Sequence, residues 1–211
     1  MANLSLMAFM FSGAFAAASL VLAAAPGPDI LYVLAQSAQS GARAGLTVVI
    51  GLMVGCLIQT AAAAAGLAAV VAASPWLFWT IRLAGAAYLL YLAWGAWHAP
   101  TSAQTARATA IDRSALLRRG IIMNVTNPKV QIFFLAFFPQ FATRGATGWQ
   151  MAMEMGLLGV IFTVCAFVVM AGCALFAGVL SDTIRSPRVQ IVLNKASAFI
   201  FIGLALAAVV S

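Results

Sequence analysis

Two oppositely charged side chains stand inside long apolar stretches: Asp29, in Pro26-Gly27-Pro28-Asp29, and Lys129, in Asn127-Pro128-Lys129. A charge at the centre of a bilayer costs ~2.5–3.5 kcal/mol on insertion scales and more in simulations. Each of these charges follows a proline, which lacks an N–H and frees the carbonyl one turn earlier. Free backbone groups are tolerated in hydrocarbon only where protein or a water-filled cavity covers them. A charge plus a broken helix, once in each half of the chain, points to one polar cavity where the halves meet. Lys129 can hold a carboxylate there, and Asp29 can hold an ammonium or carry a proton. Asn124, Asn127 and Gln140 add hydrogen-bonding groups, and the half-helices after Pro28 and Pro128 present N–H groups to an anion. A zwitterion would suit such a site. The alternative is that Asp29 and Lys129 pair only with each other and cap the breaks. The two readings are compatible, since a transporter can use the pair as a gate.

The remaining polar residues carry less chemistry. Arg82 lies in an apolar run with Tyr88 and Tyr91, the tyrosines at i, i+3 spacing; packing or interfacial placement competes with a role at the site. Lys195 and Glu154 fall near the ends of apolar runs, where snorkelling or interfacial exposure is expected. Gln59, in mid-run, reads as an interhelical hydrogen bonder. Cys56, Cys165 and Cys173 are scattered small hydrophobes, and His98 is the only histidine. No CxxC or zinc-ligand spacing exists, so neither a metal nor a cofactor is expected. An intramembrane protease would need a Ser/His pair, paired aspartates or zinc, so an enzyme is not expected. No ATP-binding motif accompanies these residues.

The elements that position these groups follow from composition. The 211-residue chain is 64% hydrophobic and 7% charged, against about 45–50% and 25% for a soluble domain. It is an integral membrane protein, and Ala/Leu/Gly-rich runs make it helical, not a barrel. At ~20 residues per crossing, six spans use up the chain: about 6–35, 44–72, 76–97, 117–141, 149–180 and 191–210, the first and fourth broken at the prolines. A helix rises ~12 Å from Leu117 to Val125 and ~18 Å from Lys129 to Phe141, which puts the second break near mid-membrane. Residues 6–25 lack a basic flank, so they are expected to stay in the mature protein.

Arg43, Arg107, Arg113, Arg118, Arg119, Arg185 and Arg188 gather in or beside three loops, against Arg144 alone on the other side. The excess of basic residues predicts that these three loops are cytoplasmic and both termini outside. The net charge of +7 is then topological, and no nucleic-acid partner is implied. Pro28 and Pro128 occupy equivalent places, each followed by a short apolar run and a Gly/Arg turn. Three spans per half is an odd number, so the two copies, about 1–98 and 115–211 within a single transmembrane domain, must be inverted. Gly51-x-x-x-Gly55 and Gly156, Gly159, Gly172 and Gly178 offer close helix contacts, with Gly51 and Gly156 in matching positions.

Three stretches carry a family resemblance: Pro26–Leu34 (PGPDILYVL), Arg82–Trp94 (RLAGAAYLLYLAW) and Gly120–Lys129 (GIIMNVTNPK) with its continuation Phe133–Phe141 (FFLAFFPQF). Together they resemble the LysE/RhtB amino-acid exporters across essentially the whole chain. The resemblance implies a secondary active exporter in a bacterial cytoplasmic membrane, driven by the proton motive force. Its implied substrates are amino acids or derivatives such as threonine, homoserine or homoserine lactone. A metal-cation exporter of the wider superfamily is the alternative. Carried over, Pro26, Gly27, Pro28 and Asp29, and Asn124, Asn127, Pro128 and Lys129, become the functional core. Position 82 looks like a family lysine replaced by Arg82. The expected partners are the substrate, protons and lipid, with room for a homo-oligomer.

Overall fold

The computed structural model describes residues 2–25, 27–73, 75–99, 112–141, 143, 148–177 and 186–210; within these, the side chains of 2–12, of several residues between 67 and 82, and of 136, 207, 208 and 210 are not described. All regular structure there is helical: α1 (Ala2–Ala24), α2 (Pro28–Ser40), α3 (Ala42–Ala73), α4 (Pro75–Trp97), α5 (Arg113–Val125), α6 (Pro128–Phe137) with a 3-10 turn (Phe138–Phe141), α7 (Gly148–Leu175) and α8 (Pro187–Val210).

The stretches Ala42–Gly66, Gly148–Leu175 and Pro187–Leu206 are each long and apolar enough to cross a membrane. Two further candidates are bent pairs: α1 with α2 at 60°, and α5 with α6 at 47°. Helix α4 contributes a shorter apolar stretch, Leu83–Trp97. The outside of the bundle matches this reading. Met153, Leu157, Val160, Val164 and Phe167 of α7 recur every three or four residues and are all exposed, an apolar stripe that a water-facing helix would carry only at a docking site.

Local chemistry sets the joints. Helix α2 starts with Pro28 at its first position, where the missing N–H costs nothing. It ends at Gly41, whose φ of +86° is left-handed and whose N–H donates to Ser37 O at 2.9 Å. The chain turns there directly into α3, and α2 folds back onto it. Asp112 caps α5 by accepting from Ser114 N at 3.0 Å. The Ser114 hydroxyl first, and then that bond, hold its carboxyl below the usual carboxylate range.

Small residues let the helices touch. A Cβ on Gly51 would lie 2.3 Å from Leu117 O, and one on Gly120 2.5 Å from Val48 O, so α3 and α5 meet backbone to backbone. A Cβ on Gly159 would lie 2.0 Å from the Thr60 side chain in the α3–α7 contact. Gly156 and Gly172 meet open space instead. The proposed match of Gly51 with Gly156 therefore does not extend to packing; Gly178 lies outside the described residues. Helices α4 and α8 pair through Trp97 and Phe199 (ring centroids 5.7 Å apart), with Lys195 Nζ 5.6 Å over the Trp97 ring.

The core has two parts. One gathers residues of α1, α3, α4, α6, α7 and α8 around phenylalanines. Phe15 is fully buried, and its ring centroid lies 6.3, 6.2, 5.2 and 5.1 Å from those of Phe133, Phe137, Phe138 and Phe141. The other packs Ile30, Val33 and Leu34 of α2 against Val48, Leu52, Leu116, Met170 and Ala174. Its edge is closed by Arg119, whose guanidinium carbon sits 4.7 Å over the Tyr32 ring. The polar residues of the two breaks lie between these cores.

Candidate functional site

Asp29 is the second residue of α2 and Lys129 the second of α6. Because both helices begin at a break, both side chains start at the same level of the bundle. Lys129 Nζ lies 3.9 Å from Asp29 Oδ2, and both residues are at least nine-tenths buried. Asn127 Nδ2 reaches the same carboxylate oxygen at 3.5 Å. Asp29 Oδ1 is buried with no hydrogen-bond partner.

Lys129 does more than pair with the carboxylate. Its Nζ donates to Leu22 O at 3.4 Å and to Ala25 O at 3.2 Å. Leu22 O is the acceptor a continuous helix would offer to the N–H of residue 26, and a proline stands there. The cation thus caps α1 from the other half of the chain, where a helix C-terminus favours positive charge.

The second break is closed by neutral groups. Asn127 Oδ1 accepts from Lys129 N at 3.0 Å and caps α6. Val125 O, which a continuous helix would bond to Lys129 N, accepts from Gln131 Nε2 at 2.6 Å. Asn124 O, which Pro128 deprives of its helical donor, accepts from Gln59 Nε2; the same amide donates to Asn124 Oδ1 at 3.1 Å. The N–H of Lys129 is therefore taken by its own N-cap and is not offered to an external anion.

Asp29, Lys129 and Asn124 line a cavity whose other walls are Leu22, Leu52, Met53, Val130, Phe162 and Met170. It holds about 20 Å3 of space open to water, and one water needs ~10–15 Å3. As folded, the site admits a water and not an amino acid. Gly27 adjoins it: a Cβ there would lie 2.6 Å from Asp29 Oδ1 and 3.3 Å from Lys129 Nζ. A larger pocket, about 280 Å3, lies beyond the Gln59–Asn124 contact, walled by Ile58, Ala62, Val125, Phe134 and Leu135 with Gln59 and Gln131 as its polar residues.

Of the expected site residues, the structure brings together Gly27, Asp29, Asn124, Asn127 and Lys129, with Pro28 and Pro128 opening their helices. It does not bring in Tyr88 or Gln140. Tyr88 lies on α4 with its ring 5.6 Å from that of Tyr91, which is two-thirds exposed. Gln140 sits in the 3-10 turn after α6 among phenylalanines, eleven residues and ~16 Å of helical rise beyond Lys129. Pro26 and the Arg82 side chain lie outside the described parts. Glu154 accepts from Thr143 N at 2.7 Å and Gln150 Nε2 at 3.0 Å, away from the cavity. The backbone carbonyls of Leu22 and Ala25 went unforeseen; the proline at position 26 was the signal for the first. Among the described residues no group of three His, Cys, Asp or Glu stands together as a metal site.

The family model for LysE type translocators matches residues 20–211. A homoserine/homoserine lactone efflux protein of Salmonella typhimurium is 33% identical over 209 residues, 95% of this chain and 98% of that one. A membrane protein of Vibrio cholerae named only as uncharacterized is 33% identical over 192 residues, 90% and 92% of the two chains. A leucine efflux protein of Salmonella typhimurium is 32% identical over 152 residues, 70% and 72%. No solved structure matches.

Proposed function

The chain belongs to the LysE-type translocator family, of transporters and not enzymes, and from that premise we propose that it is a secondary active exporter of amino acids or their derivatives. Two similar chains are named for the efflux of homoserine, its lactone and leucine, which supports a small amino-acid-like substrate such as threonine, homoserine or homoserine lactone. The proton motive force drives the export.

The observation that carries this reading is the buried Asp29–Lys129 pair, one partner from each half, meeting at two broken helices. A purely structural joint would not need opposite charges in an apolar bundle, where apolar side chains of similar volume serve as well or better. The pair offers complementary ends to a zwitterion: Asp29 takes the ammonium or a proton, Lys129 the carboxylate, and Asn124 and Asn127 orient them. The small cavity represents an occluded arrangement, which must open for substrate to enter.

The multi-pass helices are read as six spans in two inverted repeats, about 1–98 and 115–211. The three long apolar helices and two bent pairs account for five. Helix α4 supplies the sixth, with Trp76 and Trp97 exposed near its ends, ~32 Å apart by helical rise and close to the ~30 Å of hydrocarbon. Some contacts pair as an inverted repeat requires: α3 against α5 corresponds to α7 against α1, and α2 against α7 to α6 against α3. The basic loops are placed in the cytoplasm and both termini outside.

The test is export from cells overexpressing the protein and challenged with single amino acids and analogues. Protection by one compound names the substrate class, and its loss with a protonophore identifies the energy source. Asp29→Asn and Lys129→Ala are each expected to abolish export while leaving membrane insertion intact; full export by both variants would reject the site.

A further inference from the structure

We propose that Leu22 O, Ala25 O and Asp29 Oδ2 form the subsite for the substrate's primary ammonium, and that Lys129 occupies it as a tethered competitor. This rests on the exporter reading above and says how that site tells its substrates apart.

Three acceptors face one ammonium. Lys129 Nζ lies 3.4 Å from Leu22 O, 3.2 Å from Ala25 O and 3.9 Å from Asp29 Oδ2. A lysine ammonium has three N–H donors and no acceptor, and the cage presents two carbonyls and a carboxylate. The α-ammonium of an amino acid has the same three donors and the same charge. The lysine is therefore a chemical stand-in for the amine end of the substrate.

The surroundings are shaped for that group. Gly27 leaves the space next to it open, since a Cβ there would stand 3.3 Å from Nζ and 2.6 Å from Asp29 Oδ1. Asp29 Oδ1 is buried, without a hydrogen-bond partner, and its residue lines the cavity. A carboxylate with an unused acceptor beside an occupied cage has capacity for a further donor.

The site cannot hold both ammonium groups, because two cations sharing the cage would repel at close range in a poorly screened interior. Substrate binding therefore displaces Lys129, and the released ammonium remains on α6 within reach of the substrate's carboxylate. Closure without substrate returns the lysine to the carbonyls. A short tether gives the lysine a high local concentration, so the free protein stays latched, and only a ligand with a charged, N–H-bearing amine replaces the lysine. Quaternary or acylated amines lack either the donors or the charge.

The decisive experiment is a thermal-stability titration of the purified protein with propylammonium chloride, using tetramethylammonium chloride as the ionic-strength control. Lys129→Met empties the cage and is expected to show a saturable rise in melting temperature of roughly 5 °C with propylammonium only. The wild type, already occupied, is expected to show a much smaller rise, because propylammonium has no carboxylate to receive the displaced lysine. Equal responses of wild type and variant, or equal effects of the two amines, would overturn the proposal. Should Lys129→Met fail to fold, wild-type proteoliposomes decide. Counterflow of the exported amino acid must fall at least about tenfold when its amine is acetylated or trimethylated, and unchanged counterflow overturns the cage. If the wild type moves no amino acid at all, the exporter reading falls, and the amine titration of Lys129→Gln, whose amide brings no charge to the cage, judges the cage separately.

Discussion

At the break between α5 and α6 the groups released by Pro128 are met by neutral amides: Gln59 on Asn124 O, Asn127 on Lys129 N and Gln131 on Val125 O. At the break between α1 and α2 the exposed carbonyls are met by the charged end of Lys129, from the other half of the chain. Each break borrows one group from the other half: Gln59 of α3 for the second and Lys129 of α6 for the first. What differs is charge: neutral amides close the second, whereas a cation paired with Asp29 closes the first. Two helix breaks need not be closed in the same way, and the one closed by a charge ties its cap to a buried ion pair.

The sharpest way to break this contrast is to remove one charge. Asp29→Asn or Lys129→Met strands the partner in the interior, and such losses run to about 3–5 kcal/mol. Melting of the purified variants should show both destabilised. The double variant should recover much of the stability and none of the export, which separates the role of the pair in folding from its role in transport.

Gly27→Ala tests the crowding at the first break. The added Cβ would meet Asp29 Oδ1 at 2.6 Å, so the carboxylate must move. A loss of about 1–3 kcal/mol is expected, with export falling more than stability, as measured on matched amounts of membrane-inserted protein.

Gln59→Leu tests the second break. It removes one donor from the Asn124 carbonyl, which still accepts from Asn127 N at 2.9 Å. The expected cost is about 1–2 kcal/mol, read by melting, with partial export retained. An effect as large as that of Lys129→Met would erase the distinction between the breaks.

The smallest effect belongs to Asp112, outside the apolar segments. Its carboxyl is held low by the Ser114 hydroxyl and N–H. A depressed folded value means that this cap stabilises α5 above the ordinary carboxylate range and is lost as pH falls through the folded value. Hydrogen exchange in the first turn of α5 should quicken at acid pH, and Asp112→Ala should remove that dependence.

Much of this was legible in the residues. Two charges in apolar runs, each beside a proline, announced that Asp29 and Lys129 meet, and the apolar runs located every long helix to within a few residues. Gly51-x-x-x-Gly55 announced a close contact, which α5 fills. Other features had weaker signals. Every residue carries a carbonyl, so nothing in Leu22 or Ala25 as side chains marks them as acceptors; only the proline at 26 hinted at the first. Gln140 falls on the right helical face for Lys129 but too far along the axis, and a residue list does not register depth. Tyr88 and Tyr91 have the spacing of a face without any sign of what that face meets, and they meet each other. Gly156 meets open space where Gly51 meets α5, and the close glycine of α7 is Gly159, against Thr60 of α3.

Phe15 locks α1 against four rings of α6 and its 3-10 turn. Protons travel along threads of water, and a stack of interleaved rings leaves no room for one. On that flank the interleaved rings are expected to insulate the bundle. Access from there has to wait for whole helices to part, so turnover should respond steeply to temperature while passive leakage stays low.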